Sequence, residues 1–300
     1  MSTTQESSPP ICDYEGSGYR QDFWQGRGRD YEDRVERIAL RRLLPRSGRR
    51  ILEIGAGFGR LTDELGGFEQ VVLLDYSRTL LAEARAHLGD DGRCTYVAAD
   101  VYRMPFQPGS FDAATMIRVI HHMADVPAAL RSIRGALAPG AVFVLEYANK
   151  RNLKAMLRHA LRRQDWSPYD PQPVEFVRLN FDFHPAYMQR AVQAAGFRVE
   201  RRLPVSYFRV GVLKRIVPAG VLAALDAAVQ PWGPLYAPSV FTRNVAVGEG
   251  PDAVGEPLRF RCPSCGGDLL AGGDVLTCQT AGCGARWAVR DGIYEFKEPL

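Results

Sequence analysis

Apolar and polar positions follow two rhythms along this chain. Residues 31–44 repeat Val35, Ile38, Ala39 and Leu43 on one side, the period of an amphipathic helix. From residue 50, short and nearly continuous apolar runs at 51–54, 71–74, 95–98, 113–117 and 141–145 alternate with helical patterns. One helix is predicted over 60–65 and another after Ser77, which stands as an N-cap. Continuous apolar strands are buried on both faces, so the alternation predicts an α/β fold, a doubly wound and mostly parallel sheet with helices on each side.

After residue 150 the rhythm changes. Residues 151–163 predict a basic amphipathic helix, with Leu153, Met156, Leu157, Ala160 and Leu161 on its apolar side and Arg151, Lys154, Arg158 and Arg162 on an outer side that is either simply solvated or meets phosphate groups of a substrate or membrane. An aromatic and proline-rich loop is expected over 164–183, a helix over 185–195 stopped by Gly196, and a strand over 197–208. An apolar helical insertion over 210–229 and a last strand over 240–247 follow. The expected division is a tail and candidate lid over 1–34, a main domain over 35–247 with a helical insertion at about 209–237, a linker over 248–258, and a cysteine-bearing module over 259–300.

Composition narrows the class. A hydrophobic share of 46% and a charged share of 24% are those of a globular chain and exclude disorder throughout. The net charge of +4 permits anionic partners without requiring them. No apolar run is long enough to span a bilayer, and the polar start of the chain lacks the apolar core of a signal peptide. With four of the six Cys clustered near the C-terminus, a disulfide framework is not expected and a cytoplasmic location is.

The densest signal is Glu53-Ile54-Gly55-Ala56-Gly57-Phe58-Gly59, a glycine turn that lets a ligand lie on bare backbone. Counted from Gly55, the sixth position is Arg60, so the dinucleotide fingerprint fails. Asp75 closes the second strand, where an acid can accept both hydroxyls of a ribose. The turn resembles motif I of class I S-adenosylmethionine-dependent methyltransferases. The likeness continues through Asp100, Phe111-Asp112-Ala113, His121-His122-Met123 and the Leu137-Ala138-Pro139-Gly140 turn, covering 50–146. It implies a Rossmann-like, seven-stranded sheet of order 3-2-1-4-5-7-6 and S-adenosylmethionine as cofactor. It implies Glu53, Gly55, Ala56, Gly57, Asp75, Tyr76, Asp100, Val101 and Arg118 as cofactor-binding residues, with Asp100 or its backbone at the adenine amino group. Asp112 is expected to be structural.

A sulfonium methyl group is already activated, so catalysis is mainly alignment, and a base is needed only for a nucleophile that holds its proton tightly. His121, His122 and His184 are the candidate catalytic residues; Glu146, Tyr147 and Tyr187 also lie at strand or helix ends toward the site. The Asn/Asp-Pro-Pro-aromatic motif of amino-group methyltransferases and the Pro-Cys of cytosine methyltransferases are absent. The strand-four exit is similar to the small-molecule branch of type 11 methyltransferases. Tyr19, Trp24 and Tyr31 are candidate lid residues, and the insertion can cap a lipid-like or quinone-like acceptor, rest on a membrane surface, or simply pack.

In the last module, Cys262 and Cys265 are followed by Cys278 and Cys283, a thiolate set suited to tetrahedral, structural zinc. The run Trp287-Ala288-Val289-Arg290-Asp291-Gly292-Ile293 resembles the Tyr-Pro-Val-x-Asp-Gly-Ile-Pro signature of small zinc-ribbon proteins that activate methyltransferases as partner subunits. Trp287, Ala288 and Tyr294 replace its Tyr and two Pro. Acids balance bases in the module, so a phosphate grip is not expected. The leading expectation is methyl transfer to a small-molecule or lipid-like acceptor, with peripheral membrane contact left open. An RNA or protein methyltransferase with the ribbon as docking arm, a non-catalytic cofactor-binding subunit, and a nicotinamide oxidoreductase are the other readings.

Overall fold

The computed structural model describes residues 9–18, 24, 28–89 and 92–300. Of the tail and candidate lid expected over 1–34, residues 1–8, 19–23 and 25–27, Tyr19 among them, lie outside the described residues. Helix α1 (Asp30–Leu43) buries Tyr31, Val35, Ala39, Leu40 and Leu43, the apolar stripe, and with them Glu32 and Glu36.

Strands β1 (Gly48–Ile54), β2 (Phe68–Asp75), β3 (Cys94–Ala98), β4 (Phe111–Met116) and β5 (Leu137–Ala148) pair in parallel. Ser77 caps α2 (Arg78–Leu88), its hydroxyl accepting from the Leu80 amide at 3.2 Å, and Asp125 caps α3 (Val126–Ala136) in the same way. The helix predicted over 60–65 is corrected to a single 3-10 turn, Thr62–Leu65. Gly55, Gly57 and Gly59 all take positive φ, so the chain bends three times just ahead of this turn.

The region after β5 also departs from expectation. Helix α4 (Leu153–Ala160) is shorter than predicted, and the supposed loop contains a hairpin, β6 (Val174–Val177) and β7 (Asn180–Asp182). Helix α5 (Pro185–Ala194) and β8 (Phe197–Val205) come next. The apolar insertion is two helices, α6 (Gly211–Ile216) and α7 (Ala219–Val229), because Pro218 cannot continue the first. Strand β9 (Ser239–Ala246) runs antiparallel between β5 and β8.

The cysteine-bearing module is an antiparallel meander of β10 (Leu269–Gly272), β11 (Val275–Cys278), β12 (Arg286–Arg290) and β13 (Ile293–Glu295). Strand β13 pairs in parallel with β3, Ile293 opposite Tyr96 and Glu295 opposite Ala98. The expectation of a seven-stranded sheet is therefore corrected: one sheet of eleven strands runs β10-β11-β12-β13-β3-β2-β1-β4-β5-β9-β8. An uncovered β3 would expose a row of unpaired backbone groups, and the module removes that edge. Trp287, Phe296, Leu276 and Cys262 join the same apolar core as Leu52 and Ile54. The segment expected as a linker is also tied down: Ala253 donates to the Gly109 carbonyl at 2.9 Å, and Arg50 reaches the Glu256 carbonyl at 2.9 Å.

Candidate functional site

The parallel strands β1 to β5 all end on one edge of the sheet, and two cavities open there. The glycine turn separates them. Its Gly55 and Ala56 amides bond the Leu74 carbonyl at 2.7 and 3.1 Å, pinning the bend to β2. A Cβ on Gly55 would stand 2.1 Å from a methyl of Val119, and φ is +69°, so only glycine fits. Nothing lies within 4 Å of where a Gly57 Cβ would be, which leaves bare backbone facing open space.

The larger cavity, about 770 Å³, is walled by Gly55, Gly57, Asp75, Tyr76, Asp100 and Val101 on the sheet side. Ile11, Cys12 and Tyr14, from a strap of chain ahead of α1, wall it from above. Asp75 accepts from the Gly57 and Ser77 amides, each at 2.8 Å, so its carboxylate also braces the turn. Burial raises its pKa against those amide bonds. Asp100 accepts from the Tyr102 amide at 2.8 Å with Oδ1. Its buried Oδ2 makes no hydrogen bond and only a 3.5 Å ion pair with exposed Arg103. A buried carboxylate oxygen without a donor is costly, and an exocyclic amino group placed there would satisfy it.

The smaller cavity, about 430 Å³, is walled by Trp24, Glu53, Arg60, Thr115 and Arg118, and shares Ile54, Gly55, Gly57, Ile117 and Arg118 with its neighbour. Burial lifts Glu53 to about 7 although the Thr62 hydroxyl bonds it at 2.6 Å. Glu36, wholly buried on α1, binds both Arg118 and Arg60. Burial pushes its pKa up, but the two guanidinium groups win and hold it below the ordinary carboxylate range. Trp24 lies over Arg60 at 3.8 Å, a cation–π contact that roofs this chamber. Arg118 itself has φ of +61°, and its amide donates to buried Glu146 at 2.9 Å. A non-glycine residue held in that region marks a strained backbone, here at the wall common to both cavities.

The three histidines separate. His122 walls the larger cavity with both ring nitrogens engaged: Nδ1 faces the Leu179 carbonyl at 2.9 Å, which requires a proton there, so Nε2 accepts from the Tyr14 hydroxyl at 3.3 Å. His184 sits at the N-cap of α5, its Nδ1 accepting from the Ala186 amide at 3.1 Å, and it lines neither cavity. His121 keeps a buried Nδ1 without a hydrogen bond. Burial, reinforced by the positive charges of Arg118 and Arg209, drives its pKa well below the usual value, so it is neutral. Tyr147 lines a separate small cavity with Met188 and Arg202, and Tyr187 stacks on Phe183. Asp112 accepts from the Arg49 and Arg50 amides at 2.7 and 3.0 Å, the structural role expected of it.

Periodicity did not reveal Glu36, Arg60 or Glu15. The detectable trace was a glutamate inside the apolar stripe of α1, since an acid there needs a buried cationic partner. Glu15 accepts from the Arg78 and Thr79 amides at 2.8 and 3.0 Å and so fastens the strap to the start of α2.

In the cysteine module, the four Sγ atoms lie within 4.8 Å of one another. The Cys262–Cys283 pair is 3.9 Å apart and the Cys265–Cys278 pair 3.4 Å. A zinc ion with bonds of about 2.3 Å needs sulfurs about 3.8 Å apart, so the set fits a tetrahedral ion. Two turns present the thiols, with Gly266 donating to the Cys262 carbonyl and Cys283 to the Thr280 carbonyl.

Residues 52–145 match the family described as methyltransferase domain. An O-methyltransferase of Penicillium expansum is 31% identical over 150 residues, 47% of this chain and 54% of that protein. A ubiquinone/menaquinone biosynthesis C-methyltransferase of Shewanella frigidimarina is 32% identical over 132 residues, 41% of this chain and 50% of that protein. The chain thus spans about half the length of the curated relatives it matches. Among solved structures, an S-adenosylmethionine-dependent methyltransferase of Mesorhizobium loti superposes with TM-score 0.51 and 24% identity over 70% of this chain and 97% of that one. A complex between a Haloferax volcanii methyltransferase activator and a methyltransferase gives TM-score 0.53 and 19% identity over 75% of this chain and 95% of that one. The fold is that of class I S-adenosylmethionine-dependent methyltransferases.

Proposed function

We propose that this chain is an S-adenosylmethionine-dependent methyltransferase acting on a small-molecule or lipid-like acceptor, with one structural zinc in its C-terminal module. One observation carries the reading: two cavities of different chemistry meet at the glycine turn and share Gly55, Gly57 and Arg118. The larger suits a nucleoside, with Asp75 for ribose hydroxyls and Asp100 for the adenine amino group. The smaller suits an α-amino acid, with Glu53 for its ammonium and the Arg60–Arg118 pair for its carboxylate. S-adenosylmethionine joins those two pieces and supplies a methyl group on a positively charged sulfur.

The protein's own contribution is mainly placement. The strap and Trp24 exclude water from above, which lowers the local dielectric and strengthens every polar contact inside. Glu36 holds Arg60 and Arg118 in fixed directions and Glu146 holds the Arg118 backbone, so the shared wall is preorganised. His121 is neutral and its Nδ1 makes no hydrogen bond, but it lines neither cavity and burial makes it a weak base, so no proton-accepting role is assigned to it. His122 acts as cavity wall and His184 as helix cap. The four cysteines would hold zinc as a structural ion with no open position, joining the meander to the sheet.

The test is transfer of label from methyl-labelled S-adenosylmethionine to cell-extract fractions. Label in a small-molecule or solvent-extractable fraction that survives nuclease and protease supports the reading. Label destroyed by either digestion moves the acceptor to nucleic acid or protein. No label in any fraction, with S-adenosylhomocysteine bound tightly, leaves a cofactor-binding subunit without transfer activity.

A further inference from the structure

Helix α4 presents to solvent the side that an ordinary amphipathic helix hides. Its buried residue is Ala155, whereas Leu153, Leu157 and the following Leu161 are 56%, 60% and 54% exposed. With a rotation of about 100° per residue, these leucines lie on the face opposite Ala155, one above the next. Lys154, Arg158 and Arg162 are exposed beside them. Over 151–163 the chain carries five cations and no carboxylate. Leaving three leucines in water is unfavourable, and the sequence pattern predicted the opposite orientation.

The surroundings extend this surface. Strand β5 runs parallel to β4, and β8 runs antiparallel to β9, which is itself antiparallel to β5. The chain leaving β5 and the chain leaving β8 therefore emerge at the same edge, where the cofactor-sized cavities open. Two more apolar outcrops lie on those segments, Phe176 on the β6–β7 hairpin at 57% exposure and Ile216 on α6 at 75%. The charges of Arg158 from α4 and Arg209 ahead of α6 both act on Asp182 of β7, so the three segments converge.

We propose that α4 is an interfacial helix that docks this edge of the protein onto an anionic phospholipid bilayer. Its leucines enter the acyl boundary and its cations meet the lipid phosphates, the arrangement of a helix lying in the plane of a membrane surface. Charge argues against a second copy as the occupant: a two-fold contact through α4 sets cations against the same cations. Docking would bring the cavities to a lipid-like acceptor, a consequence that rests on the function proposed above. The docking itself does not, and it is measured without methyl transfer.

The experiment is flotation of the full chain with vesicles of phosphatidylcholine alone or of equimolar phosphatidylcholine and phosphatidylglycerol, at about 100 and about 500 mM salt. The expected result is co-flotation with the anionic vesicles, about tenfold less with neutral ones, and release at high salt. Leu153→Gln, Leu157→Gln and Leu161→Gln together should cut recovery about tenfold with an unchanged thermal melt, since all three side chains are exposed. Lys154→Glu with Arg162→Glu is the second variant and should abolish the preference for anionic lipid. Absence of flotation, or flotation that both variants leave unchanged, overturns the proposal. So does a wild-type dimer that the leucine variant makes monomeric without any flotation. A chain that floats but transfers no methyl group keeps the docking surface and removes only the enzymatic reading.

Discussion

Lys297 of the cysteine-bearing module donates to Glu15 of the strap at 3.1 Å and lies 4.9 Å from the ring of Tyr76. Two segments far apart in sequence therefore meet above the larger cavity, with Glu15 also held by Thr79 and by two amides of α2. Burial alone would raise the Glu15 pKa, but bonds from the Thr79 hydroxyl, Lys297 and the Arg78 and Thr79 amides hold it at about 2. With its folded value depressed, the latch is fully present above the ordinary carboxylate range and is lost only as pH falls toward about 2. Glu15→Gln is expected to weaken S-adenosylhomocysteine binding about fivefold through faster release, and Lys297→Gln about twofold, as befits a partly exposed ion pair. Stopped-flow dissociation rates check this; rates equal to wild type in both variants would detach the strap from the cofactor.

Asp100 and Asp75 should fail differently. Asp100→Ala removes from the cavity the Oδ2 that lacks a hydrogen bond and is expected to cost about 1–3 kcal/mol of cofactor affinity. Its effect on the melting temperature should be small, since one Tyr102 amide bond is lost. Asp75→Ala should weaken binding on the same scale and also lower the melting temperature, because both of its oxygens brace the turn through Gly57 and Ser77. Calorimetric titration paired with thermal denaturation separates the two. Unchanged affinity in Asp75→Ala would remove the ribose assignment.

Glu53 gives the site a pH signature. Its folded pKa is raised to about 7, so the unliganded protein carries a proton there at mildly acid pH. A ligand ammonium favours the ionised form, so binding must expel that proton. Affinity is expected to be level above about pH 7 and to fall by up to about tenfold per unit below it, with proton release measurable by calorimetry in buffers of different ionisation enthalpy. Glu53→Gln should bind more weakly and flatten the profile. A flat profile in the wild-type protein would place the ammonium elsewhere.

Elemental analysis should find one zinc per chain. Chelation, or Cys278→Ser, is expected to lower the melting temperature by roughly 5 °C or more, because the module has too little core of its own. It should also weaken S-adenosylhomocysteine binding, since β13 lies beside β3, at whose end Asp100 stands, and the module carries Lys297. Metal-free protein with unchanged stability and unchanged affinity would make the cysteines bystanders.

The parallel strands and the glycine turn were legible because they depend on local pattern: runs such as 71–74 are apolar on both faces, and the turn needs Gly55 where Val119 crowds it. The metal set was legible because four cysteines fall within a short span. What stayed hidden depends on partners distant in sequence. Glu36 reads as an anomaly until Arg60 and Arg118 arrive from other elements. The pairing of β13 with β3 joins two strands almost two hundred positions apart, and no periodicity encodes a partner. The three histidines stand alike in the sequence because it gives residue type without hydrogen bonds; in the fold the Leu179 carbonyl takes His122 Nδ1 and the Ala186 amide takes His184 Nδ1. The face of α4 was misassigned because its leucines satisfy the helical period whichever way the helix is turned.

A crystal structure of the chain with S-adenosylhomocysteine tests the central claim most directly. The account requires the adenine amino group at Asp100 Oδ2, the ribose at Asp75, and the amino-acid end beneath Trp24 between Glu53 and Arg60. Density for the ligand elsewhere, or crystals that leave it out and take up a nicotinamide dinucleotide instead, would contradict it.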